Sequence, residues 1–146
     1  MDEPNYKFSA VDERLTFEFD SVSTDKVIRK LVQFRLIDFE AELYNLALVD
    51  ILFDGSASGL SVSNNNDMPK VLATVFRTLL YFFDRHKDEK ILIQGSTKSR
   101  TRLYQMAIVK YLPELEHKFE IWGFVNNEFE DFTKGKSYNG FVIKQK

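Results

Sequence analysis

Three basic residues within five positions, Lys98, Arg100 and Arg102, follow the step Gly95-Ser96-Thr97 and open an amphipathic stretch. Backbone N–H groups at the start of a helix attract anions, and neighbouring cations add to that field. Lys98 and Arg102, four apart, would share one helical face. Ser96 and Thr97 supply hydroxyls suited to capping. These five residues are therefore candidates for contact with a phosphate, a diphosphate or a nucleic-acid backbone. The plain alternative is a solvated basic face paired with surface carboxylates. A second candidate is the run Asn64, Asn65 and Asn66, hydrogen-bonding side chains just before another helix start at Asp67. If the two helix-opening loops lie side by side at strand ends, they form one cleft.

Asp50 interrupts an otherwise apolar run. A strand-borne carboxylate becomes a general base when burial raises its pKa; the competing expectation, favoured by its place near the strand end, is that it faces solvent. Asp67 reads as an N-cap. His86 and His117 have no partner at ligand spacing, and no metal site is expected because zinc takes about three or four protein ligands. Trp122 and the phenylalanines read as core. The chain carries no Gly-Lys-Ser/Thr phosphate loop, no Gly-x-Ser-x-Gly elbow and no dinucleotide fingerprint.

The elements that must position these groups can be read from periodicity. Leu15, Phe17 and Phe19 alternate with polar residues, as do Val32, Phe34 and Leu36, which predicts half-buried strands. Lys7–Val11 is a further edge strand, and Leu43–Phe53 a central one. Residues 54–66 are rich in Gly, Ser and Asn and predict a loop with a short strand at Leu60–Ser63. Leu72, Val75, Phe76, Leu79, Leu80 and Phe83 recur at three- and four-residue spacing, predicting a helix over Met68–His86 with Pro69 in its first turn. Ile91–Gln94 is a short strand, and Ser99–Leu112 a second helix ended by Pro113. Phe119–Val125 and Tyr138–Lys144 close the chain as strands around a long acidic loop, Asn126–Lys136. The connection from Leu43 to Ile91 through a helix implies a parallel pair.

Composition bounds the function. The chain has 146 residues, 44% apolar, with 14 phenylalanines, enough for one core in one domain whose first five residues are a flexible terminus. Cysteine is absent, so no disulfide, thiolate metal site or cysteine nucleophile exists. No signal peptide and no membrane span are expected, which together with the missing cysteine favours the cytoplasm. A net charge of −2 gives no global attraction to nucleic acid or anionic lipid.

Two resemblances arise from these segments. YNLALVD, SNNNDMPKVLATV and GSTKSRTRLYQMAI resemble an uncharacterised family of small, mostly Bacteroidetes proteins, which implies no activity. More distantly, Leu43–Ile143, with RLYQMAI in its second helix, is similar to the C-terminal half of acyltransferases of the GNAT superfamily. That resemblance implies a GNAT-like topology, coenzyme A as cofactor, Ser63–Asp67 as the diphosphate loop, and Tyr104 as the acid that protonates the departing thiolate. The sequence departs from the superfamily at that loop: Ser63–Pro69 contains no glycine, Asp67 adds negative charge, and Pro69 removes a donor.

The fold expected is α/β (α+β), a mixed, mainly antiparallel sheet with two main helices. The leading function is a non-catalytic or degenerate GNAT-like domain that binds an anionic small molecule or a protein partner at two helix N-termini. The alternatives are an N-acyltransferase using Tyr104 as acid with Asp50 or a water as base, and a small regulatory or toxin–antitoxin-type interaction protein.

Overall fold

The computed structural model describes residues 4–12, 15–23, 26–51, 57–58 and 67–146. It begins with β1 (Ser9–Asp12), β2 (Thr16–Val22), β3 (Val27–Asp38) and β4 (Leu43–Ile51), an antiparallel meander. Alternation places Phe17 and Phe19 of β2, Val32 and Phe34 of β3, and Leu46 of β4 on one buried face. β5 (Ala57–Ser58) pairs with Asp50–Ile51. The expected strand at Leu60–Ser63 lies outside the described residues.

The change of period after residue 67 becomes α1 (Met68–Arg85), whose buried stripe includes Val71, Leu72, Val75, Phe76, Leu79 and Phe83. It crosses over to β6 (Lys90–Ile93), which pairs parallel to Leu43–Leu46, as the sequence implied. Next come α2 (Lys98–Lys118), β7 (Phe119–Val125), β8 (Glu128–Asp131) and β9 (Gly140–Gln145). The last strand inserts between β6 and β7, antiparallel to both. The sheet order is β1-β2-β3-β4-β6-β9-β7-β8. The class is therefore mixed α/β, with a mostly antiparallel sheet and two helices.

Both helices share one core with the buried sheet residues. Phe82 stacks on Phe34 at 4.5 Å between ring centroids, and Phe76 meets Tyr111 at 6.0 Å, joining helix to sheet and helix to helix. Among the described residues no helix is long and apolar enough to cross a membrane.

Three sequence expectations need correction. α2 does not stop before Pro113 but runs on to Lys118, because burial of Leu115 and Phe119 holds the turns beyond the missing N–H. The acidic stretch after β7 is not one loop. Asn126 and Asn127 have φ of 54° and 60°, the paired left-handed turn of a two-residue hairpin, which returns the chain as β8. The final strand begins at Gly140 rather than Tyr138, whose ring packs across Gly123 of β7.

Candidate functional site

Lys30 and Asp50 are directly opposed in the β3–β4 register and fall in phase with Val32, Phe34 and Leu46, so both point toward the helices. Their charged ends meet at 2.6 Å with side-chain exposures of only 3% and 8%. Asp50 is thus a buried ion-pair partner, which overturns the expectation that it faces solvent. A buried pair of this kind is costly to break one-sidedly, since the remaining charge keeps its desolvation penalty.

Beside this pair the N-terminal turns of both helices converge. Met68 and Leu72 of α1, together with Arg100, Leu103 and Tyr104 of α2, enclose a cavity of about 170 Å³ against Leu48, Lys30 and Asp50. The step from β6 into α2 is fixed by Gly95, where a Cβ would lie 2.5 Å from Arg100 Cβ and from the Thr101 nitrogen. The Gly95 N–H donates to Thr101 Oγ1, which in turn donates to the Thr97 carbonyl. Thr97 caps α2, its hydroxyl accepting from the Arg100 N–H at 3.2 Å. That donor is therefore already used, and the charge α2 presents to the cavity comes from the Arg100 guanidinium and the helix dipole.

Tyr104 is 6% exposed, and among the described residues no group hydrogen-bonds its hydroxyl. Burial pushes its pKa up to about 12, with Arg100, one turn earlier, pulling in the opposite direction. The phenol is therefore a neutral donor throughout the physiological range.

Asp67 occupies the N-cap position of α1 but makes no capping bond. Its carboxylate instead accepts from the hydroxyls of Tyr6 and Ser21, each at 2.5 Å, tying the N-terminal segment and β2 to the helix start. Burial, then the bond to Asp67, raises the pKa of Tyr6. Of the five residues expected to form a flexible terminus, Pro4 and Asn5 are described, and the adjoining Tyr6 N–H is bonded to Thr74 Oγ1.

The basic cluster divides. Arg100 faces the cavity, whereas Ser96, Lys98 and Arg102 line a separate groove on the other side of α2; Thr97 borders both. Asn64, Asn65 and Asn66 lie outside the described residues, as does Ser63. Trp122, expected in the core, is half-buried in an apolar recess of about 280 Å³ with Leu43, Phe129 and Val142. Among the described residues no group of three or more His, Asp or Glu could hold a metal ion. Lys30 escaped the sequence reading, although its phase with Val32 and Phe34 in VIRKLVQF marks it as inward-facing.

The outer edge of β4 is interrupted at the same place. β6 covers Leu43–Leu46 and β5 covers Asp50–Ile51, so among the described residues no strand pairs with residues 47–49 on that side.

A family model matches residues 2–146. The chain belongs to DUF6934, a family of unknown function. No curated protein and no solved structure matches this DUF6934 chain.

Proposed function

We propose that this DUF6934 protein is a GNAT-like domain that binds an anionic ligand in the cavity between the N-termini of α1 and α2. The observation carrying this reading is the convergence of both helix starts with Arg100 and the hydroxyl of Tyr104, unbonded among the described residues, on one cleft beside the Lys30–Asp50 pair. With Lys30 and Asp50 cancelling each other in the wall, the helix dipoles and Arg100 favour negative charge, and Tyr104 donates one hydrogen bond to it. Leu48, Met68, Leu72 and Leu103 make the remaining wall apolar, so the favoured ligand joins an anionic head to a small apolar body. The volume agrees, since a cavity of about 150 Å³ holds one benzene. The element order α1, β6, α2, β7 and β9 supports the GNAT-like reading.

The test is a thermal-shift titration with coenzyme A, acetyl-coenzyme A, ATP, inorganic diphosphate and benzoate. A ligand at about 100 times its Kd adds roughly 2.7 kcal/mol, a rise of roughly 5–10 °C for a domain of this size. At least one anion is expected to stabilise the wild type, less so at high salt and less in Arg100→Ala or Tyr104→Phe. No shift from any of them would end the proposal.

The edge at residues 47–49, which no strand pairs on that side among the described residues, favours a second reading, N-acyl transfer from acyl-coenzyme A. An extended thioester arm could lie along that edge in place of a strand. The amine nitrogen would bond to the acyl carbon, the C–S bond would break, and the thiolate would take the Tyr104 proton. The amine proton would pass to a water, because Lys30 holds Asp50, and a proton from water would return to the Tyr104 oxygen. Loss of turnover in Tyr104→Phe, with folding intact, is the expected result. Unchanged turnover would remove Tyr104 from the reaction.

A further inference from the structure

The opposite side of α2 bears the second feature, a groove of about 1200 Å³ between the helix and residues 135–139. Lys98, Arg102, Lys110 and Lys136 line it, and among the described residues no carboxylate does. Glu130 reaches Lys136 from outside, pairing with it at 2.6 Å. The groove is preformed. Gln105 donates from Nε2 to the Lys136 carbonyl and accepts at Oε1 from the Tyr138 N–H, clamping the loop to the helix. Among the polar groups between the cations stand two aliphatic side chains: Met106, 60% exposed, and Val109, one turn from Gln105.

The geometry points to this groove as a docking site for an acidic peptide segment of a partner protein, with one apolar side chain seated at Met106 and Val109. Its size exceeds the roughly 300–1,000 Å³ usual for small-molecule pockets. Charge complementarity sets the sign of the partner in a chain whose own net charge is −2. Lys98 and Lys110 are twelve residues apart on the helix, about 18 Å, a span matched by about five or six extended residues. A peptide fits better than a nucleic-acid strand, which needs ring faces for its bases. Of the aromatic residues at the groove, Tyr138 is buried flat against Gly123 and Phe124 is engaged with Phe129.

The experiment is a display selection of random octapeptides on the whole chain, with Lys98→Glu/Arg102→Glu as counter-target and dT12 as the nucleic-acid probe in fluorescence anisotropy. All the substituted positions are exposed, and circular dichroism checks that each variant folds. Selected peptides are expected to carry Asp or Glu around an apolar residue, and to bind the doubly reversed chain about tenfold more weakly, a loss of about 1.4 kcal/mol. Met106→Asp is expected to weaken the same peptides. The proposal is overturned if no peptide is enriched, if the enriched ones lack acidic residues or bind the reversed chain equally, or if dT12 binds more tightly than they do.

Discussion

At the scale of single residues the protein concentrates its expensive groups around one cavity. Lys30 and Asp50 neutralise each other at 2.6 Å inside the fold, so removing either leaves a buried charge. Asp50→Ala is expected to cost about 3–5 kcal/mol in urea unfolding, whereas Lys30→Met/Asp50→Leu recovers most of that loss. Tyr104 makes a pH prediction. Its folded pKa of about 12 exceeds the unfolded value of 10.0, so the native state keeps a proton that the unfolded chain releases. The stabilisation is whole below about pH 10 and is lost as pH rises through about 12. Stability measured across that window is expected to fall less steeply in Tyr104→Phe than in the wild type. Equal slopes would mean that the phenol is not desolvated as described.

At the scale of elements the junction of β6 with α2 controls the shape of the cavity. Gly95→Ala is expected to push Arg100 and Thr101 away from the strand, lowering Tm and weakening anion binding together; an unchanged Tm would show that the junction yields freely. Much of this architecture was legible in the sequence. α1 followed from its three-and-four spacing, the β4–β6 pair from the crossover rule, and the α2 cap from Ser96-Thr97. Other features were hidden for physical reasons. Pro113 reads as a stop, yet the burial of Leu115 and Phe119 outweighs one lost hydrogen bond. The Asn126-Asn127 turn was masked by the acidic residues around it, although paired asparagines tolerate positive φ. Lys30 and Asp50 each look like surface charges until their phase with the apolar neighbours is counted, and pairing across strands is not visible from one strand at a time. The division of the basic cluster also needed the fold, because the helix sends Arg100 to one side and Lys98 and Arg102 to the other.

At the scale of the whole molecule, the cavity and the groove lie on opposite sides of α2 and share Thr97 at their border. Salt provides the common test. Anion binding in the cavity and peptide binding in the groove are both expected to weaken as ionic strength rises, the exposed groove more steeply because its charges are screened more fully. The carboxylate of Asp67 has a different consequence. It joins Tyr6, 61 positions earlier, and Ser21, 46 positions earlier, to the first turn of α1. Contacts between such distant parts of the chain demand large loop closures and are expected to form late in folding. Tyr6→Phe should therefore leave the refolding rate near that of the wild type while speeding unfolding. The N-terminal segment would act as a latch on the helix that walls the cavity, setting how long the finished site persists rather than how quickly it assembles.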